Sequence, residues 1–563
     1  MRTWLPLILA VAAAPGLVAQ PPRPAGPIVI SPKRPDADPP GFIVIRPGGK
    51  VAPAAATQTP TLVTPTAAQN PAPAPNPDGS FDYWFAAAVE GERIGYLQWT
   101  AKSVEMNGKK YRHGTKHQQF TVDRFGQVVV QFGEESTVET PEGEVLLTTA
   151  RQGLGKDQML VLTGVVEGRT LKVKGEGVAA TAADSVAWPA GVVGVAGEAK
   201  LFAGKKLAPG ATFDYLTYFA QGNRVLKVTV TYEATEDTVL WQGVPAKKLA
   251  RYTSRMEPLG ALKLPAATTW ADPDTGEPFR TEFDFPGLGG RVTFLRTTEA
   301  AAKAPIAKPL ALFNAQSIRL DREIPDVHNR TSAVYKVTAA RDDEPGTLFP
   351  SDSRQEVKNL DAKAKTFELH VQAVRGPGMK AVPAPAPGPE FLGSSFFINW
   401  DNAAVKGHAA RAVAGLPPGA DAWAKARAVE RWVNQNMKAA EFSQSMATAD
   451  NVARTLSGDC TEYAMLGAAM CRAVGVPSRT VLGLVYAPGP GGRPFLAYHM
   501  WFEAFAAGQW LPLDPTLGLG GVGPGHVKIA DHSWHEERSF APLFPVLRVL
   551  NAKPTVEVLR ATP

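Results

Sequence analysis

LSGDCTEYAMLGAAMCRAVGVPSRT, residues 456–480, is the stretch on which the reading of the chain turns. Asp459 suits a helix N-cap, and Gly475-Val476-Pro477 is a strong stop, so the spacing predicts a helix over about Cys460–Val474. Cys460 then stands at the first helical position. Unpaired backbone N–H groups and the positive end of the helix dipole favour a thiolate there, which predicts a lowered thiol pKa. Ala464, Gly467 and Ala468 are small enough to let other elements pack closely on the helix. A buried structural role is the usual fate of an unbridged cysteine, and taken alone Cys460 would be read that way. Cys471 lies inside the helix with no activating feature and reads as core. These are the only two cysteines in the chain. At 1.5 Å rise per residue they stand about 16 Å apart, too far for a disulfide, so at least one thiol lies outside any bridge.

A second stretch follows, FLAYHMWFEAFAAGQWLPLDPTLG at 495–518. Phe495–Phe505 reads as a strand, Ala506–Gly508 as its turn and Gln509–Leu513 as the return strand. His499 falls about eight residues before the turn's centre and Asp514 about seven after it, so the two are expected as cross-strand neighbours with Cβ atoms about 5 Å apart. A carboxylate so placed holds an imidazole in one tautomer and orientation. A slip of one residue in register would separate them. Just upstream, DAWAKARAVERWVNQNMK at 421–438 sets Trp423, Ala426, Val429, Val433 and Met437 on one helical face behind Asp421 as N-cap.

Four local patterns coincide here: Gly458-Asp459-Cys460 at a helix start, Arg472-Ala473-Val474-Gly475-Val476-Pro477-Ser478-Arg479 at its exit, His499-Met500-Trp501 in a strand, and Trp510-Leu511-Pro512-Leu513-Asp514-Pro515 in the return strand. In this order, with gaps of 39 and 15 residues between Cys460, His499 and Asp514, they resemble the transglutaminase-like superfamily, a papain-related group of cysteine enzymes. The resemblance covers about 420–520 firmly and extends over 400–545. It implies Cys460 as nucleophile, His499 as general base and then acid, and Asp514 as the residue that orients His499. It also implies an oxyanion hole using the Cys460 N–H and a second donor from upstream, for which Trp432, Asn436 and Gln444 are candidates. Trp501 and Trp510 read as packing residues. No cofactor and no metal are called for, and the pair of histidines in HSWHE, His532 to Glu536, reads as a surface loop.

Outside this region the texture changes. Residues 1–19 carry Arg2, an apolar run from Leu5 to Val18 and a small-residue site at Leu17-Val18-Ala19, which reads as a signal peptide and predicts an exported, periplasmic or secreted protein. Residues 20–79 are rich in Pro, Ala and Thr and are expected to be a disordered tether. Short alternating runs with Gly-containing turns predict an antiparallel β-rich accessory domain over 80–300, similar to the region that precedes such cores in exported bacterial proteins, and a smaller β-rich region with a linker over 301–395. The catalytic domain is assigned to 396–547 and a tail to 548–563. The expected fold class is therefore α+β: a papain-like core with a helix-borne cysteine packed on an antiparallel sheet, behind one or two antiparallel β-rich domains. The histidines of 81–395, His328 among them, look scattered and without a catalytic constellation.

Composition bounds the partners. With 44% apolar residues and a net charge of +6 over 563 residues, without a Lys/Arg run or a basic stripe interleaved with aromatics, nucleic acid is not an expected partner. No segment after the signal reads as membrane-spanning. The expected substrate is a protein or peptide. Two function classes stay open: thiol acyl transfer on an amide, ending in peptide hydrolysis or in glutamine transamidation, and a non-catalytic cell-envelope scaffold on an enzyme-like fold. The oligomeric state is not specified by the sequence.

Overall fold

The structure is a computed structural model that describes residues 79–563 except 125–126, 156–157, 176–183, 242–244, 312–316, 379–384, 440–445, 490–492 and 536–540. The signal-peptide and tether assignments fall on residues outside this set.

The first body is one long antiparallel meander. It runs strand by strand from Phe81–Val89 to Asp184–Ala187, then resumes at Val192–Val193 and returns to Gly290–Thr297. The two runs join because Phe81–Val89 pairs on one side with Glu92–Met106 and on the other with Gly290–Thr297, Trp84 lying opposite Thr297. Alternation drives this. In Phe81–Val89 the inward positions Phe81, Tyr83, Phe85, Ala87 and Val89 are all buried, as a strand with one face on a core requires. A short helix, Val195–Glu198, seals the interior. Its first N–H groups are met by Thr137 and Glu139, and Lys116 forms a 2.6 Å ion pair with its Glu198, both side chains buried. Gly114 is required beneath it, because a Cβ there would stand 2.4 Å from the Ala196 nitrogen.

The region expected to be a second β unit is built from two parts of the chain. Gln355–Asp361, Thr366–Gln372, Ser332–Thr338 and Thr555–Thr562 form a four-stranded antiparallel sheet in that order. The residues assigned to a tail thus supply the helix Phe544–Ala552 in part and a whole strand of this small sheet.

Between these strands in sequence lies the α+β core. Four helices, Ala403–Val413, Ala422–Asn436, Ala449–Thr455 and Cys460–Ala473, pack on one another and on a five-stranded sheet. Phe495–Ala506 lies in that sheet between Ser478–Ala487 and the short strand Ser317–Arg319, and pairs at its far end with Gln509–Leu513; His526–His532 pairs with the outer side of Ser478–Ala487. The helix Cys460–Ala473 is buried along its whole length. Close approach explains its small residues: a Cβ on Gly467 would stand 2.6 Å from the Phe502 ring. At its exit the buried Arg472 donates to the carbonyls of Gly393, Ser478 and Ser533 and ties the helix to two loops. Asp421 caps Ala422–Asn436 as expected, accepting from the Ala424 N–H at 2.7 Å.

Candidate active site

Asp459 caps the cysteine helix through a full capping box. Its side chain accepts from the Thr461 N–H at 2.8 Å, and Glu462 reaches back to accept from the Asp459 N–H at 2.9 Å. Two donors left over at a helix start are satisfied this way, and Cys460 is fixed at the first helical position. Its thiol accepts from the backbone N–H of Met500, which sets the sulfur against the strand position next to His499.

His499 Nε2 lies 2.8 Å from Asp514 Oδ2, and both side chains are completely buried. The two meet without being directly opposite. Leu513 pairs with Phe502, and Asp514 leaves the strand just beyond that pair. Asp514 is held by more than His499: its Oδ1 accepts from the Thr516 N–H at 2.9 Å, and its Oδ2 accepts also from His526 Nε2 at 2.9 Å. Burial alone would push the Asp514 carboxyl up, but the two imidazoles beside it hold it far below the usual carboxylate range. It is therefore an ionised acceptor, and hydrogen bonding requires both histidines to carry their proton on Nε2. The two Nδ1 atoms are then acceptors, buried and without a partner among the described residues.

His526 was not singled out in the sequence. It follows a Gly-Pro-rich loop and belongs to no recognisable pattern; only its place in space assigns it. Burial pushes its pKa down to about 3, so it is neutral near pH 7. His328, read as a scattered histidine, packs its ring 5.5 Å from that of His526 and hydrogen-bonds the Tyr486 backbone. Glu430, on Ala422–Asn436, accepts from the Gly520 N–H at 3.0 Å, and burial pushes its carboxyl up to about 8.

One expectation is corrected. The helix-start position predicts a lowered thiol pKa for Cys460, whereas burial, with Asp459 and Glu462 close by, pushes it well above the ordinary value. Desolvation outweighs the helix end because the sulfur has no exposure to water. Cys471 is also fully buried and its thiol is pushed up by burial, in keeping with core. Neither cysteine is in a disulfide. Among the candidates for a second oxyanion donor, Asn436 spends its amide on the Trp432 carbonyl, Trp432 packs its ring 4.6 Å from that of His408, and Gln444 lies outside the described residues. Trp501 is fully buried, and Trp510 packs on Phe391, Phe505 and the Arg479 guanidinium.

The ligand-type atoms of His499, Asp514 and His526 lie within 4.8 Å of one another. Two hydrogen bonds to one carboxylate oxygen account for that spacing, and the trio is a hydrogen-bonded network rather than an assigned ion site. In the HSWHE stretch, His532 Nδ1 accepts from the Trp534 N–H and His535 lies against Gly393, so these two rings are engaged locally.

A helix-borne thiol, a strand-borne imidazole and a buried carboxylate meet on an α+β frame. Residues 408–515 match the model of the transglutaminase-like superfamily, and the chain carries a transglutaminase-like domain there. Solved structures similar to the chain include a putative cysteine protease from Cytophaga hutchinsonii (18% identity, covering 40% of this chain and 82% of that one, TM-score 0.25). Another is the periplasmic domain of TgpA from Pseudomonas aeruginosa bound to ethylmercury (17% identity, 36% and 83% covered, TM-score 0.22). A third is a β-barrel-like protein of domain of unknown function DUF1849 from Brucella abortus (12% identity, 39% and 95% covered, TM-score 0.30). No curated protein matches the chain. No helix among the described residues is long and apolar enough to cross a membrane.

Proposed function

We propose that this is an exported cysteine-dependent acyl-transfer enzyme acting on amide bonds of proteins or peptides through Cys460, His499 and Asp514. The observation that carries the reading is the state of His499: Nε2 committed to an ionised, buried Asp514, and Nδ1 a buried acceptor without a partner beside a strand whose next N–H meets the Cys460 sulfur. An imidazole wired in this way is a general base.

In the proposed reaction His499 Nδ1 takes the thiol proton as Cys460 Sγ adds to the amide carbonyl. The oxyanion develops near the helix start, where the Cys460 N–H points. Collapse expels an amine, or ammonia from a glutamine side chain, with the proton returned by His499, and leaves a thioester on Cys460. Water then gives hydrolysis, and an amine gives a cross-link. Hydrolysis is the favoured outcome in this reading. The raised thiol pKa makes proton transfer to His499 part of the attack rather than a step completed before it.

The test is alkylation by iodoacetamide, read by mass spectrometry. Cys460 should react at least about ten-fold faster than Cys471, and His499→Ala should erase the difference, since a positioned base contributes roughly 10²–10⁴ in rate. Equal, slow reaction at both cysteines regardless of residue 499 would remove the enzyme reading. It would leave the non-catalytic scaffold, which the complete burial of the Cys460 sulfur would then suit. Mass analysis of glutamine-containing peptides, with and without a primary amine, separates cleavage, deamidation and cross-linking.

A further inference from the structure

Asp514 Oδ2 is shared. Two imidazoles, His499 and His526, donate to the same oxygen at 2.8 and 2.9 Å, inside a site where all three side chains have no exposure. The usual need of an orienting carboxylate is one imidazole, so the second donor calls for an explanation.

We infer that His526 is a positioning residue that fixes the Asp514 carboxylate through the oxygen it shares with His499 and sets how strongly that carboxylate stabilises charge on His499, and that the small sheet holds His526 in place to do so. The inference rests on the proposed role of His499 as base.

The physical argument has two parts. The first is electrostatic. Each hydrogen bond into a carboxylate oxygen offsets part of its negative charge, and this offset is strong in a site without water. With His526 donating, the field of Asp514 at His499 is weaker than with His499 alone, and its imidazolium is less favoured. A base is most effective when its pKa lies near the operating pH, so the strength of the Asp514 field bears directly on the role proposed for His499. His526 can act as a steady donor because it stays neutral. The groups that face this network are His328 from the segment before the small sheet, with Asp326 near it, Glu430 from Ala422–Asn436, and the Cys460 thiol; the Arg354 guanidinium meets the His526 backbone.

The second part is mechanical. His526 opens the strand His526–His532, and the loop before it is tied to the small sheet. The Arg354 guanidinium, buried, donates to the His526 carbonyl and to the Gly523 carbonyl. Tyr335 Oη donates to the Pro524 carbonyl at 3.0 Å. The His328 backbone lies so close to Gly523 that a Cβ there would stand 2.3 Å from its oxygen. The ring itself is wedged edge-on against Trp501, with centroids 5.3 Å apart. Residues from outside the matched domain thus hold the imidazole that holds Asp514.

The experiment is ¹⁵N-histidine NMR on the full chain, with ring signals assigned through His499→Gln and His526→Gln, and the His499 titration compared across variants. In wild type, His526 should show the Nε2–H tautomer throughout pH 5–9. His526→Phe keeps the ring and removes the donor, and should raise the His499 midpoint by roughly 0.5–1 pH unit. His526→Gln restores a donor and should bring the midpoint back toward wild type. An unchanged midpoint in His526→Phe, or an equal shift in both variants, overturns the inference. So does a wild-type spectrum with the His526 proton on Nδ1, a reading that needs no variant to fold. The enzyme reading is judged separately by iodoacetamide: a His499-dependent reaction of Cys460 alongside an unmoved midpoint would keep the enzyme and discard this role for His526.

Discussion

Glu430 shows what a single buried carboxyl does to the core. Burial raises its pKa to about 8, so the folded state holds a proton that the unfolded chain releases near its ordinary carboxyl range. The stability this contributes is complete below about pH 4.5 and is lost as pH rises through about 8, at a slope of order 1 kcal/mol per pH unit. Glu430→Gln keeps an acceptor for the Gly520 N–H and removes the ionisation. Its stability relative to wild type, from urea unfolding, should rise steadily from pH 4.5 to 8. A flat difference would show that Glu430 is charged in the fold. At this scale the sequence was generous where structure follows local pattern: the cap at Asp459, the helix that starts at Cys460 and the strand that carries His499 are all local signals. It was silent on His526 and His328, because a histidine recruited through space by a carboxylate 12 residues away, or from before the small sheet, leaves no local mark. It also misjudged the thiol, since a helix end is visible in sequence and the amount of water at a sulfur is not.

Among elements, the strands Ser478–Ala487, Phe495–Ala506 and His526–His532 share a cluster of charged side chains. Glu503 receives Lys528 at 3.1 and 3.2 Å and Arg479 at 2.7 Å, while Asp531 bonds both cations at 2.7 and 2.8 Å. Burial would raise the Glu503 carboxyl, but Lys528 and Arg479 override it and hold it down to about 2. The contribution is therefore present above about pH 4.5 and lost as pH falls toward 2. Removing one partner of such a buried set is costly, so Glu503→Gln should destabilise by about 3 kcal/mol at pH 7. The loss should shrink between pH 4.5 and 3 in chemical denaturation; a loss independent of pH would assign it to packing. The hairpin that joins these residues to the site was legible from Phe495 to Leu513, because a near-continuous apolar run and the Ala-Ala-Gly turn are local signals. The exact register at Asp514 was not, because it lies past the last paired residue, Leu513, where the ladder no longer dictates position.

For the whole molecule, the β-rich character of the accessory body was readable because most of its strands pair with a chain neighbour. The small sheet was not, since Ser332–Thr338 takes Thr555–Thr562 as a partner from across the entire transglutaminase-like domain. Deleting Thr555–Thr562 would expose an edge of Ser332–Thr338 and loosen the sheet that carries Tyr335 and Arg354. The expected outcome is a thermal midpoint several degrees lower, roughly 2–4 °C per kcal/mol lost in a domain of this size. Faster amide hydrogen exchange should appear at Gly523–His526. Protection there equal to that of the full chain would show that the loop is held by the core alone. The same connectivity means that removing residues 1–395 would strip strands that support the site.

The pairing of Thr555–Thr562 with Ser332–Thr338 also sets an order of events in time. More than two hundred residues separate these strands, and all of the core except the short strand Ser317–Arg319 is made between them. During synthesis the first meander closes when Gly290–Thr297 meets Phe81–Val89, before the core is made, whereas the small sheet waits with an open edge until the core has been completed. Long-range closure of this kind is slow and leaves a strand edge available for wrong pairing meanwhile. The late arrival of one eight-residue strand is thus the step at which the assembled site is locked, and the interval before it is the one in which this chain is most exposed to aggregation.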